Sequence, residues 1–279
     1  MTDTPEIPTP EIHVTILGSG SSGGVPRADG DWGACDPTHP RNRRRRCSLL
    51  VEALDPHAPE APVTRVVVDT SPDFREQMLS AGVRTLDAVL MTHDHADQSH
   101  GLDDLRAFVQ RRGGLRMPVW MDPETLGSLT QRFDYIFERR HDYPPICTAM
   151  PLPSIGQAFA VPGSGPDLPV TTFWQQHGPI RSVGYRFGPI AYSSDVSDLD
   201  ETAMAALAGL DLWIVDALRY TPHPTHAHLD KTLGWIADLK PRRAVLTNLH
   251  HDLDYETLSA LLPEGVEAGY DGWVSGAPL

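Results

Sequence analysis

Cysteine is scarce in this 279-residue chain, which holds only Cys35, Cys47 and Cys147. Three thiols are too few for a disulfide framework, so the chain reads as one kept reduced, with the cytoplasm its expected location. No apolar run approaches the length of a membrane span, and no membrane association is expected. Positive charge is also short. With 23 Lys and Arg against 37 Asp and Glu, the formal net charge is −14. That balance argues against broad binding to nucleic acid or anionic membranes. It does not exclude an anionic small molecule, because a bound metal ion is often the largest local charge in a site. No internal repeat or low-complexity tract interrupts the chain. The opening MTDTPEIPTP carries acids and prolines where a secretion signal would be basic and then apolar. Residues 1–10 are therefore expected to be a loose leader, and residues 11–279 a single domain.

What remains is an ordinary globular balance, 40% hydrophobic and 22% charged, sufficient for a sizeable core. Strand signals fall at His13–Leu17, Ser48–Val51, Arg65–Val68 and Ala88–Met91. A long Gly/Pro/Arg-rich connection from Gly18 to Cys47 separates the first two. Asp73–Ala81 reads as a helix, with Ser71 as its cap and Pro72 at its start. Leu102–Arg111 and Pro123–Arg132 read as further helices. In the second half, strands are expected at Val170–Gln175, Val183–Phe187, Ile190–Ser193, Leu212–Val215 and Arg243–Leu246. Helices are expected at Glu201–Leu207 and Asp230–Leu239. Strands alternating with helices in both halves predict an α/β fold, two sheets packed face to face with helices outside.

The strongest chemical signal is Leu90-Met-Thr-His93-Asp-His95-Ala-Asp97-Gln98-Ser-His100-Gly101. Two histidines one residue apart, just past an apolar strand, project to the same side if the extended geometry continues. Imidazole nitrogen and carboxylate oxygen together suit zinc, manganese or iron, cations that activate water. Taken alone, the segment could equally be a polar loop. A metal site also needs ligands from distant strand ends, and His177 and Asp195 each follow a predicted strand.

With Thr92-His93-Asp94-His95-Ala96-Asp97-Gln98, the chain resembles the metallo-β-lactamase superfamily, whose mark is T-H-x-H-x-D-H after a strand. Within it, the chain is similar to the branch that includes the phosphodiesterase of the carbon–phosphorus lyase pathway, which opens cyclic ribose phosphates. The likeness runs over nearly the whole chain. It includes Leu17-Gly-Ser-Gly-Ser-Ser-Gly-Gly-Val-Pro26, Arg43–Ser48, Val68-Asp69, Gly101-Leu102 with Leu105-Arg106, and Leu246-Thr-Asn-Leu-His-His-Asp-Leu-Asp254. The resemblance implies a four-layer αββα sandwich and a first metal on His93, His95 and His177, with Asp195 bridging to a second on Asp97. The family completes that second site with two histidines, and here those positions hold Gln98 and Asn248. A carboxamide oxygen is a weaker and harder donor than imidazole. One tightly held Zn²⁺ or Mn²⁺ is therefore expected, with the second site weak or absent.

The resemblance also implies metal-assisted hydrolysis of a small or cyclic nucleotide-like phosphodiester. Asp97 would orient or deprotonate the attacking water, and His226 falls on the substrate-side histidine, with His228 the runner-up. Hydrolysis of a lactone, thioester or other ester is one alternative; a nucleotide-binding module with reduced turnover is another. A homodimer would suit the resemblance, and a tRNA-type substrate would not suit the charge.

Other features admit two readings. Gly18-Ser-Gly20-Ser-Ser-Gly23 fits G-x-G-x-x-G but opens no helix and has no Walker lysine, so a dinucleotide or P-loop site is not expected. Gly20 and Ser21 are instead candidates for backbone contacts to substrate oxygens. Arg41–Arg46 reads either as a solvated loop or as an anion-guiding patch. Cys35, His39, Cys47 and His251 are candidates for a structural zinc site by resemblance, although the family's compact cysteine cluster is missing. Asp69 and Asp216 read as strand-end acids that support the ligands.

Overall fold

The fold is described by a computed structural model for residues 10–58 and 60–275. Of the expected leader, residues 1–9 lie outside the described residues. The first sheet has six strands: β1 (Glu11–Gly18), β2 (Ser48–Leu54), β3 (Thr64–Val68), β4 (Ala88–Leu90), β5 (Met117–Met121) and β6 (Cys147–Pro151). The second has seven: β7 (Phe159–Val161), β8 (Leu168–His177), β9 (Ile180–Phe187), β10 (Ile190–Ser193), β11 (Leu212–Asp216), β12 (Arg243–Thr247) and β13 (Val266–Ala268). The helices are α1 (Phe74–Ser80), α2 (Ala96–Ser99), α3 (Leu105–Arg111), α4 (Pro123–Arg132), α5 (Asp134–Phe137), α6 (Glu201–Ala206), α7 (Leu229–Leu239) and α8 (Tyr255–Leu261). None is long and apolar enough to cross a membrane.

Strand periodicity explains the layering. In β2, Leu49, Val51 and Ala53 join the core between the sheets, while Leu50 faces the helical side. In β3, Val66 and Val68 point inward and Val67 outward. The second sheet mirrors this: Leu212 and Ile214 enter the shared core, whereas Trp213 and Val215 enter the outer one with α6, α7 and α8 residues. Successive side chains alternate faces, so strands apolar on both faces must be covered twice. The result is the predicted αββα sandwich with three apolar layers.

Several boundaries differ from expectation. Leu102–Arg111 is not one helix, since Leu102–Asp104 forms a 3-10 turn before α3. Helix α1 begins at Phe74, with Ser71 Oγ accepting from the Asp73 backbone N–H at 3.1 Å. The arginine run is only partly solvated: Arg41 and Arg43 are exposed, while Arg44 to Arg46 are buried or half-buried. Arg44 is buried and donates to the carbonyls of Leu253 (2.7 Å) and His250 (3.3 Å). Arg45 pairs with Asp271, Arg46 with Asp73, and Arg41 lies over the rings of Tyr255 and Tyr270. The run stitches the N-terminal loop to the C-terminal segment.

Candidate metal centre

The candidate ligands lie at the carboxyl ends of strands in both sheets, where ligands bind in open α/β folds. His93 and His95 follow β4, His177 ends β8, Asp195 follows β10, Asp216 ends β11 and Asn248 follows β12. Three strand-end residues here are left-handed: Asp69 (φ 63°), Asp195 (φ 56°) and Asn248 (φ 60°). Asp and Asn are the non-glycine residues that best tolerate this conformation, and such strain collects at functional sites. The sheets are tied here by hydrogen bonds from Val183 N to Thr92 O (2.8 Å) and from Tyr185 Oη to Met91 O (2.6 Å).

One potential ligand atom each from His93, His95 and His177 lie within 4.8 Å of one another, as do those of His177, Asp195 and His226. A hydrogen-bonded series sets the tautomer of His93. Asp69 accepts from Thr92 N and Thr92 Oγ1, each at 2.8 Å, and Thr92 Oγ1 lies 3.0 Å from His93 Nδ1. Since the Thr92 hydroxyl donates to Asp69, its oxygen accepts the Nδ1 proton, leaving the Nε2 lone pair free. That Nε2 is buried without a hydrogen-bond partner. Likewise, His177 Nδ1–H donates to Thr225 O at 2.7 Å, so its Nε2 lone pair faces inward, 3.4 Å from His95 Nδ1. Burial holds His93 neutral, lowering its pKa to about 3, and lowers that of His177. Convergent neutral imidazoles beside an ionised carboxylate make the donor set of a divalent cation. The residues present fit a first ion.

Glycine is required at position 178. Its φ is +59°, and a Cβ there would stand 2.4 Å from Cγ2 of Thr225, the residue that orients His177.

Asp195 presents its two oxygens differently. Oδ1 lies 3.9 Å from His177 Nε2 and 3.8 Å from His226 Nε2. Oδ2 accepts from Ser194 Oγ at 2.7 Å and from Gln98 Nε2 at 3.1 Å. Of the two oxygens of this expected bridging residue, Oδ2 is thus already engaged by protein donors. Burial opposes the charge on Asp195, but His93, His226, His177 and the Ser194 hydroxyl outweigh it and keep the carboxyl below its usual range. For Asp97, burial and the charge of Asp195 raise the pKa to about 6. Asp94 turns away towards Ser128 and Arg132 on α4.

His226 stands beside the cluster with its ring 4.7 Å from that of His177. Its Nδ1 donates to Asp216 Oδ2 at 2.7 Å. Burial disfavours its protonated form, but Asp216, Asp195 and Asp97 prevail and raise the pKa to about 9. Asp216 also accepts from Val196 N and Asn248 Nδ2, each at 3.2 Å, as expected of a supporting acid.

His226 also lines a cavity of about 260 Å³, with Ser21, Arg27, Arg219, His223 and His250 among its other walls. Sequence reasoning assigns no role to Arg27, Arg219 or His250; His250 follows the Leu246-Thr-Asn-Leu segment, a signal that could have found it. Gly20 is not on that wall. Its N–H donates to Arg45 O at 2.8 Å, and a Cβ would meet Arg44 Cβ at 2.9 Å, so the close approach of the two segments accounts for glycine there. Ser21 N is likewise directed at Leu249 O. His228, the runner-up, is off that wall and precedes α7, where its carbonyl accepts from Thr232. Nor do the four candidates for structural zinc converge. Cys35 Sγ donates to the carbonyls of His251 and Leu253, Cys47 Sγ lies 3.5 Å from Thr247 Oγ1, and His39 stacks on Tyr255.

Fold and donor set define a metal-binding hydrolase of the metallo-β-lactamase type. Residues 64–250 match the model of the Beta-lactamase superfamily domain, and the chain belongs to that family. It is similar to a diphosphatase of the PhnP family, with 34% identity, 95% of this chain and 96% of that one covered, and a TM-score of 0.82. It shares the fold of zinc-bound PqqB from Methylobacterium extorquens, at 19% identity, TM-score 0.69, and coverage of 95% and 100%. An octanoyltransferase of Porphyromonas gingivalis (strain ATCC BAA-308 / W83) is 32% identical over 268 residues, 94% of this chain. The chain spans about half, 51%, of that curated relative.

Proposed function

We propose that this hydrolase is a phosphodiesterase acting on a small or cyclic nucleotide-like phosphodiester, with one Zn²⁺ or Mn²⁺ held by His93, His95, His177 and Asp195. The observation that carries the reading is the cavity beside His226. In a chain of net charge −14, its lining includes Arg27, Arg219 and His226 and, among the described residues, no Asp or Glu; the Arg219 guanidinium is held by the carbonyls of Thr221 and Pro222, and Arg27 lies 3.9 Å from Asp31. Such a wall suits an anionic substrate. His223 Nδ1 accepts from Thr225 N and Oγ1, which leaves its Nε2–H as a further donor. Similarity to a PhnP-family diphosphatase supports phosphorus chemistry.

When bound, the cation would lower the pKa of water and neutralise charge building on a phosphoryl oxygen. Asp97, with its pKa near 6, is suited to accept a proton from attacking water at neutral pH. His226 is suited to give its Nε2 proton to the departing alkoxide, since Asp216 holds the ring by the other nitrogen and favours its charged form.

A second reading, hydrolysis of an ester or thioester, is favoured by the identity shared with half of an octanoyltransferase. Both are tested by the release of nitrophenol from bis(4-nitrophenyl) phosphate and from 4-nitrophenyl octanoate, before and after chelation and with Zn²⁺ or Mn²⁺ restored. The phosphodiesterase reading expects chelator-sensitive turnover of the first. Turnover of the octanoate alone would replace it with the second. Binding of nucleotides without turnover, under either metal, would reduce the chain to a binding module.

A further inference from the structure

A second cation beside Asp97 would need lone pairs from Asp97, Asp195 and the residues at positions 98 and 248. The Gln98 carboxamide turns its NH₂ end towards the two carboxylates, and the Asn248 NH₂ is given to Asp216. Gln98 is buried, and its Nε2 donates to Asp195 Oδ2 at 3.1 Å and reaches Asp97 Oδ2 at 3.4 Å. Its orientation is imposed by charge, because the flipped amide would set Oε1 against two carboxylate oxygens and surrender both contacts. Asn248, equally buried, donates from Nδ2 to Asp216 Oδ2 at 3.2 Å. An amide NH₂ is a donor with no lone pair to offer a metal. Ser194 Oγ shares Asp195 Oδ2 with Gln98, so one of the two oxygens with which Asp195 would serve two ions is already taken by protein donors.

We infer that the Gln98 and Asn248 carboxamides replace the second cation: Gln98 clasps Asp97 to Asp195, Asn248 braces the acid that holds His226, and the centre is built for one ion. The inference rests on the metal-dependent reading above. Its physical basis is repulsion. Two carboxylates sharing a desolvated site destabilise one another, and either a cation or a shared N–H donor relieves them. Gln98 is thus a positioning residue that acts through Asp97 and Asp195. The donors are neutral and fixed, so Asp97 keeps its place without a metal bond.

The test is metal content by mass spectrometry, after equilibration with Zn²⁺ or Mn²⁺ and removal of free ion. One equivalent is expected in the natural chain and two in Gln98→His/Asn248→His, because imidazole restores lone pairs at both positions. Two equivalents in the natural chain would overturn the inference and leave the hydrolase intact. None would overturn the metal-dependent reading beneath it. A folded double variant that still holds one would also overturn the inference. Should the double variant not fold, Gln98→His alone is measured, and a folded single variant that gains no second, weaker ion overturns the inference as well. As a second readout, Gln98→Leu should lower kcat about tenfold at unchanged KM and unchanged content of one ion. Gln98→Asn, which keeps an N–H donor on a shorter arm, should recover part of that loss. Unchanged kcat in Gln98→Leu would refute the clasp.

Discussion

His226 Nδ1 and Asp216 Oδ2 are 2.7 Å apart, and the carboxylate end of that pair is fully buried. A strand-end acid thereby fixes both the ring orientation and the protonation of a histidine that lies on a loop. Backbone bonds from Ala227 N to Val196 O (2.6 Å) and from Leu218 N to Ala227 O (2.9 Å) hold the loop itself.

If His226 donates the proton to the leaving group, activity should fall as pH rises through about 9, where the imidazolium is lost. Asp216→Asn removes the largest influence favouring the charged ring, so the descending limb should move to lower pH. His226→Ala should reduce kcat by about 10²–10⁴-fold, the usual contribution of a general acid. Metal content should be unchanged, because the other imidazoles remain. A pH–rate profile with metal analysis on all three proteins checks this, and a limb that stays put in Asp216→Asn would refute the assignment.

Gly178→Ala should weaken metal binding without abolishing the fold. A left-handed alanine costs about 1–2 kcal/mol, and its Cβ would displace Thr225, whose carbonyl orients His177. Loss of such an orienting partner typically lowers metal affinity about 10–100-fold. Competition with a metal indicator dye would measure it.

Arg44→Met should cost about 1–3 kcal/mol, because it removes the charged donors to the carbonyls of Leu253 and His250 and leaves them only the Cys35 thiol and the Leu253 N–H. Lysine should not rescue it, since one ammonium cannot reproduce the planar fork. Urea unfolding of the three proteins would decide, and a change below about 1 kcal/mol would refute a structural role for the arginine run.

Much of the αββα frame is legible because strand alternation is local. Val66 to Val68, or Leu212 to Val215, announce two buried faces by themselves. Strand β5 is hidden in the sequence by Pro118 inside it, and β6 by the Pro151 on which it ends. The two pair in parallel with one another in the first sheet. The three-residue β13 is too short to carry a period, and α8 escapes the sequence reading although Asp254 caps it by accepting from Thr257 N. The arginine run misleads for a different reason. Charge alone does not reveal that Arg44 is enclosed by carbonyls more than 200 residues away, as the separation of 209 to Leu253 shows.

The sequence by itself determined the residue types and their spacing: His93 and His95 past a strand, acids at strand ends, and carboxamides at 98 and 248 where the family has histidines. Those follow from local periodicity and identity. Only the tertiary structure decided what each side chain faces. It set the His93 lone pair inward through Asp69 and Thr92, gave Asp195 Oδ2 to Gln98, and brought Arg27, Arg219 and His250 round His226. Hydrogen-bond direction and lone-pair orientation depend on partners from strands far apart in the chain, and no sequence period encodes them.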